Sequence, residues 1–471
     1  MTLSLDEAQE ILNSCTDEGA DFCQLRLLRS EAQRNYGWEE GRITFTNEGE
    51  AETWLLRSFC GGYWGSLLLG NAQEIKARAN VSVQLAKQAA SMMHGPNPSA
   101  NSEKLAAKAI RQRLAGNASE AELPEVKDLS LLVGRICDHL QGQIRFKYQD
   151  AKMHSYYWDS DHSRDIYSFA KASLLVQDIS RQDKGAIRGI KCFHYQSLEN
   201  PFDPGALEWP TEVRDWYNRV CCESFKGPSP EDLPWIFSPR AFAHLIHYTL
   251  GPTLCIERPD PFHSGMNPAE LDGCELAPPC LSITSSPGIV GSSSPLDAEG
   301  VPAAHLELVQ KGKIVNFVLS RQSSHVLSRS LSLSREIHLA GSSRILHQNC
   351  TVHPYLKHIE VGLGANLSAA HGESHLYIHD IGVKYLDPVK DRFVITAFDS
   401  LVSKYGGLHL RHIPRLDIVV TRDHLWSLLE GVGNAASTVN IPQDREVVFQ
   451  EVPSAYRVPE AVFKGMPCTW S

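Results

Sequence analysis

SSPGIVGSSSPLDAEGVPAAHLELVQKGKIVNFVLS (residues 285–320) is the stretch of this 471-residue chain that says most about its fold. Its first half is a loop by composition, rich in Ser, Gly and Pro. Nothing in that loop pairs a nucleophile with a base. From Ala304 the pattern changes: AHLELVQ and IVNFVLS read as two strands, and KGK between them predicts a hairpin with Gly312 at the turn. Downstream, HLYIHDIGVKYL (375–386), DRFVITAFDS (391–400) and LDIVVTRD (416–423) predict further strands. HLWSLLEG (424–431) predicts a helix closed by Gly431.

Upstream the pattern alternates between helix and meander. Ser4 and Glu7 form a capping box ahead of the apolar stripe Leu5, Ala8, Ile11 and Leu12, and this helix stops near Gly19. DFCQLRLL and RITFTNEGEAETWLLRSFCGGYWGSLLL alternate with period two. Gly37, Gly41, Gly49 and Gly61–Gly62 divide them into short antiparallel strands. A polar helix runs from Ala72 to about Met93, and residues 96–124 read as an exposed connector. A helical pattern over Leu129–Leu140, three more strands between about 143 and 198, and a helix over roughly Thr211–Ser224 follow. GPSPEDLPWIFSP (227–239) is Pro-rich and aperiodic and marks a boundary. The reading is an α+β fold. Residues 1–226 form an N-terminal region of antiparallel sheets with flanking helices, with possible subregions 1–124 and 125–226. Residues 227–471 form a β-rich C-terminal domain.

Bulk properties narrow the function. With 42% hydrophobic and 21% charged residues the chain is globular, and no run of eighteen apolar residues suggests a membrane span. The net charge of −10 has no basic stripe, which argues against direct nucleic-acid binding. Acids occupy the N-terminus where a signal peptide needs positive charge, so the expected location is the cytoplasm. The twelve cysteines are scattered with no CxxC pair, consistent with reduced, mostly buried thiols.

Chemistry is sought first in FSPRAFAHLIHYTLGPTLC (237–255). Ser238 can cap a helix that Pro239 begins, Gly251 closes and Pro252 forbids to continue. His244 and His247 lie on neighbouring faces of it. No Asp or Glu lies between Pro239 and Cys255, so a base for activating metal-bound water is missing. In HGESHLYIHD (371–380), His371, His375 and His379 share a strand face with Glu373 and Tyr377; a solvated sheet face explains them without an ion. Dinucleotide, P-loop and nucleophile-elbow templates all fail.

In order along the chain, EGADFCQLRL, GGYWGSLL, the 285–320 block with its Asp-x-Glu-Gly-Val, LDIVVTRDHLWSLLEGVGN and GMPC (465–468) together resemble the TldD/PmbA family, also known as modulators of DNA gyrase. Catalytic members of that family carry HExxxH on the helix equivalent to 239–252, with both histidines and a distal cysteine on zinc and the glutamate as base. The resemblance places His247 at the first ligand, Tyr248 at the glutamate and Pro252 at the second histidine. No cysteine follows Gly433 at the expected place, and Cys468 comes too late. Tyrosine is a poor base at neutral pH and proline cannot ligate.

The resemblance therefore implies a non-catalytic PmbA/TldE-like subunit of a cytoplasmic heterodimer. No cofactor is expected in this chain and zinc is expected in a TldD-like partner. The substrate would be an unfolded peptide or precursor peptide, captured by strand addition. By analogy, Asp297, Glu299 and Gly300 lie near the substrate channel; turn formation is the plainer reading of the two acids. Two rivals remain open: a hydrolase with a site rebuilt from His244, His247 and His263 or from the His371–His379 face, and a homodimeric peptide-binding module.

Overall fold

The computed structural model describes residues 4–39, 42–61, 63–92, 126–137, 143–161, 164–181, 185–197, 209–220, 222–227, 229–256, 271–287, 297–321, 323–324, 338–345, 352–365, 367, 374–387, 391–404, 409–441 and 454–470. The connector 96–124, with His263, His371 and Glu373, lies outside them. Helix α1 (Leu5–Asp17) starts on its capping box. The Glu7 amide donates to Ser4 Oγ at 3.2 Å and the Ser4 amide to the Glu7 carboxylate at 2.8 Å.

Strands β1 (Phe22–Glu39), β2 (Arg42–Cys60) and β3 (Tyr63–Leu69) follow, then α2 (Ala72–Met92) and α3 (Val126–Cys137). After these come β4 (Gln143–Asp159), β5 (Arg164–Arg181), β6 (Gly185–Ser197) and α4 (Trp209–Val220). The six strands form one antiparallel sheet in the order β3-β2-β1-β4-β5-β6. Here the sequence expectation needs correction. Gly37 and Gly49 do not break strands: they sit inside the ladder opposite Thr44 and Gln33, and β1 and β2 run 18 and 19 residues. That is about 60 Å of continuous strand. Because β1 is paired on both sides, its backbone stays extended where a glycine contributes no side chain.

The two faces of this sheet have different partners. Cys23, Leu25, Leu27, Trp54 and Leu56 pack against Ile11, Leu12, Ile75 and Val83 of α1 and α2, with Trp54 and Trp158 stacked at 6.4 Å. Alternate residues Phe22, Gln24, Arg26, Leu28, Leu55, Arg57 and Phe59 point the other way and are buried too.

The rest of the chain builds a twelve-stranded sheet and two small pairs. Its elements are β7 (Trp235–Phe237), α5 (Pro239–Leu245), a π turn (Ile246–Leu250), α6 (Gly251–Leu254) and β8 (Cys255–Ile256), then β9 (Ile283–Ser285), β10 (Leu306–Gln310), β11 (Lys313–Ile314) and β12 (Val318–Leu319). Next come β13 (Ser343–Ile345), β14 (Val352–Pro354), β15 (His358–Val361), β16 (His375–Asp387), β17 (Arg392–Lys404), β18 (His409–Ile413) and β19 (Leu416–Thr421). Last are α7 (Arg422–Ser427), β20 (Leu429–Ile441), β21 (Ser454–Phe463) and β22 (Thr469–Trp470). The large sheet runs β11-β10-β9-β15-β21-β7-β16-β17-β19-β22, with β18 on β17 and β20 on β21.

The expected hairpin is present: Lys311 and Gly312 both have positive φ (48° and 79°), as a two-residue turn between right-twisted strands requires. Three other details differ from expectation. Trp235–Phe237, inside the aperiodic boundary segment, is an interior strand between β16 and β21 with all three residues fully buried. The strand after the hairpin is split, and Val318–Leu319 instead pairs in parallel with Cys255–Ile256. Gly431 does not close a helix: α7 ends at Ser427, and Gly431 pairs with Val462 in β20. Helix α4 packs toward the C-terminal sheet, where Arg219 holds Asp399 of β17 through contacts of 2.7–3.3 Å. Among the described residues no disulfide forms; Cys15, Cys23 and Cys60 are buried, while Cys274 and Cys280 are exposed. No described helix is long and apolar enough to cross a membrane.

The second face of the six-stranded sheet meets the turn Asp297–Val301. Asp297 Oδ1 accepts from the Glu299 and Val301 amides at 2.8 and 2.9 Å, and Oδ2 accepts from the Ser343 amide and hydroxyl at 3.0 and 2.6 Å. Its carbonyl takes a 2.7 Å bond from Arg26. Glu299 is fully buried, 3.3 Å from the Arg57 guanidinium, and accepts the Arg321 amide at 2.6 Å. Arg57 lies 4.0 Å over the Trp64 ring. Gly300 has φ 71°, and a Cβ there would stand 2.4 Å from the Tyr157 ring, so only glycine fits.

Removing one member of a buried ion pair strands the other. Glu299→Ala should destabilise the protein by about 3–5 kcal/mol in denaturant unfolding, with the double variant Glu299→Leu/Arg57→Met recovering much of that loss. Nearby Lys357 is almost wholly buried, and its amine is pushed down to about 7 by burial, with Asp297 opposing and Arg26 assisting. Between that value and the ordinary 10.5 the unfolded chain binds the extra proton, so the penalty is largest at and below pH 7 and fades as pH rises. Lys357→Met should therefore raise Tm at pH 7, with the gain shrinking toward pH 10, by scanning calorimetry.

Candidate functional site

The helix that carries His247 is positioned from both ends. Its cap residue Ser238 accepts from the Ala241 amide at 3.1 Å and donates to the His379 carbonyl at 2.8 Å, tying the helix start to β16. Phe242 packs among Trp426 and Phe463, at 6.1 and 6.3 Å between ring centroids. The helix does not stop at Gly251 as the sequence predicts. Gly251 is right-handed helical (φ −49°), its amide bonds back to the Ile246 carbonyl, and the chain continues helically to Leu254.

The π turn is what lets Pro252 be accommodated. Proline supplies no N–H and crowds the carbonyl four residues earlier; widening the turn relieves the clash, and the Tyr385 hydroxyl donates to that Tyr248 carbonyl at 3.0 Å. Thr249 secures the same turn, donating to the Leu245 carbonyl at 2.7 Å and accepting from Trp426 Nε1 at 3.0 Å. The turn also changes which positions face each other. In a regular α-helix residues five apart diverge, whereas the i→i−5 repeat of a π turn stacks them. Positions 247 and 252 lie five residues apart across this turn, the spacing of its Gly251–Ile246 bond. These are the two places that the resemblance equates with zinc-binding histidines.

What occupies the frame is different chemistry. His247 Nδ1 shares a 2.7 Å hydrogen bond with the Tyr456 hydroxyl, which also lies 3.4 Å from the Leu356 carbonyl. Burial, followed by His244 and Arg344, pushes the imidazole down to about 3, so it is neutral at physiological pH. Burial likewise holds the Tyr456 phenol well above its usual range, with Cys255, Tyr355 and Tyr248 adding to the effect. The Tyr248 ring meets His247 edge-on at 4.9 Å and 87°. Pro252 is exposed.

This donor set does not fit zinc. One imidazole already engaged at Nδ1, a phenol that keeps its proton and a proline supply neither a coordination shell nor a base. Among the described residues no three His, Cys, Asp or Glu side chains converge to hold an ion. The segment after Gly433 is strand β20 without cysteine, and Cys468 lies beside Ser229 and Glu231.

The other sequence candidates are placed as follows. His375, Tyr377 and His379 do share a face of β16. There Tyr377 donates to Glu460 at 2.5 Å, and His379 lies 4.5 Å from the Tyr377 ring. Asp297, Glu299 and Gly300 are buried in the joint described above, with both carboxylates occupied by hydrogen bonds. Sequence reading missed Tyr456 and Arg344. They come from β21 and β13, and Tyr456 lies 209 residues from His247, so no local spacing could have announced them.

A sequence profile of the PmbA/TldA metallopeptidase C-terminal domain matches residues 230–469, more than half of the chain. The chain belongs to the TldD/PmbA family. No curated protein matches it in sequence. Solved structures match it over nearly its whole length. TldE from Thermococcus kodakarensis superimposes with a TM-score of 0.71 at 13% identity, covering 98% of this chain and 100% of that one. Two proteins described as modulators of DNA gyrase give similar results. The one from Bacteroides thetaiotaomicron has a TM-score of 0.65 at 14% identity, covering 99% and 98% of the two chains. The one from Thermotoga maritima has a TM-score of 0.67 at 12% identity, covering 99% and 100%. At these identities the likeness is one of fold, and the TldD/PmbA-type α+β architecture expected from the sequence is the one found.

A neutral, phenol-bonded His247 should be visible in solution. In a pH titration followed by NMR its ring carbon signals should stay constant from pH 8 to 5, while exposed histidines titrate near 6.5. In Tyr456→Phe the ring should lose its hydrogen-bond shift without regaining an ordinary pKa, because burial is the larger cause.

Proposed function

We propose that this chain is a non-catalytic, PmbA/TldE-like subunit. It pairs with a zinc-bearing TldD-like partner in the cytoplasm and helps hold unfolded peptides for that partner to cleave. The observation that carries the reading is the donor set on this helix: one neutral imidazole engaged at Nδ1, a phenol that keeps its proton and a proline offer zinc neither a coordination shell nor a base. The likeness to a protein named TldE, over essentially the full length of both chains, supports the same reading.

Peptide capture fits the architecture through the ends of a sheet. Strands β3 and β6 terminate the six-stranded sheet, and a sheet edge offers amide and carbonyl groups to any extended peptide whatever its sequence. The buried turn Asp297–Gly300 would act behind such a surface, fixing the angle between the two sheets.

Co-expression with an HExxxH-bearing family member tests the proposal. A stable complex should elute together in size-exclusion chromatography, with about one zinc per heterodimer and cleavage of an unfolded peptide. Purified alone, the chain should hold no stoichiometric zinc and cleave nothing. Zinc bound stoichiometrically to the lone chain and lost on His247→Ala would overturn it.

A further inference from the structure

Arg344 lies beside the Tyr355–Leu356 segment, whose Leu356 carbonyl is 3.4 Å from the Tyr456 hydroxyl. It is the central residue of β13, paired with His353 across β14. Its guanidinium lies over the Tyr355 ring at 5.4 Å. Among the described residues it makes no ion pair and no side-chain hydrogen bond, and Nε is buried without an acceptor. A buried donor with no acceptor costs free energy.

Its surroundings explain what could satisfy it. The charge of Arg344 acts on both members of the pair, disfavouring the imidazolium of His247 and favouring the phenolate of Tyr456. No carboxylate among the described residues compensates the guanidinium. The site carries one fixed organic cation beside phenols and an imidazole. Such a field repels metal ions and attracts anions.

We infer that the remodelled site is a carboxylate receptor, in which the Arg344 fork, backed by Tyr355, takes a carboxylate of a bound peptide beside the His247–Tyr456 pair. A guanidinium presents parallel N–H groups that match the two oxygens of a carboxylate, and an ammonium does not. The inference rests on the proposed peptide-handling role and adds to it a substrate feature: an acidic group delivered to the non-cutting subunit. The carboxylate can be the peptide's own C-terminus or an Asp or Glu side chain, and the chemistry at Arg344 is the same.

Four labelled peptides of one neutral, extended sequence separate these cases: free C-terminal acid, C-terminal amide, amide with one internal Glu, and amide with Gln at that place. Fluorescence anisotropy with the intact chain at low salt should show about tenfold tighter binding for at least one carboxylate peptide over its uncharged counterpart. Which pair shows it identifies the source. Arg344→Ala should abolish the difference while leaving the amide peptide's affinity unchanged, and Arg344→Lys should restore only part of it. Equal binding of acid and amide, and of Glu and Gln, by the wild-type chain overturns the inference, and that comparison needs no folded variant. Equal competition by inorganic phosphate would also overturn it, as a general anion site. Failure to form a complex with a zinc-bearing partner would instead remove the subunit role and leave an acid-over-amide preference standing.

Discussion

The Glu299–Arg57 contact is the constraint on which the arrangement of the two sheets depends. It joins a glycine-containing turn of the C-terminal part to the last residues of β2 in the N-terminal sheet, with neither charge exposed. Coulomb attraction of this kind gains little over two well-solvated ions, but it has no tolerance for slippage: a shift of one residue along β2 would place Arg57 on the opposite face. Asp297 organises the turn internally, Arg26 grips its carbonyl and Tyr157 closes over Gly300, so the turn can dock in only one register. Ala298 of the same turn packs with Leu28, Leu55, Ala151 and Met153, so polar and apolar contacts meet in one joint.

The helix that carries His247 keeps its shape through packing and through neutral hydrogen bonds from Tyr385, Trp426 and Thr249. Nothing in that set of contacts requires an ion.

Much of the fold could be read from the chain. The capping box at Ser4, the hairpin at Lys311–Gly312 and the strands from His375 onward follow from local rules that tertiary structure did not override. Where reading failed, non-local pairing decided the outcome. Gly37 and Gly49 look like breaks but lie in a ladder held by neighbouring strands. Trp235–Phe237 is too short and too close to prolines to signal a strand, yet it fills the centre of the large sheet. Gln24, Arg26 and Arg57 alternate with apolar residues like a solvated face; only the arrival of Asp297 and Glu299 from more than two hundred residues away makes them interior. The positions His247, Tyr248 and Pro252 were singled out by the family resemblance, and their chemistry follows from the residue types alone. Tyr456 and Arg344 were not, since a site assembled across strands leaves no periodic trace.

The π turn has a consequence for the peptide groups around it. A proline at 252 sends no amide back to the Tyr248 carbonyl, and the Tyr385 hydroxyl of β16 donates to that carbonyl instead. The helix is thereby fastened to the neighbouring strand through the very oxygen that its own winding leaves without a donor.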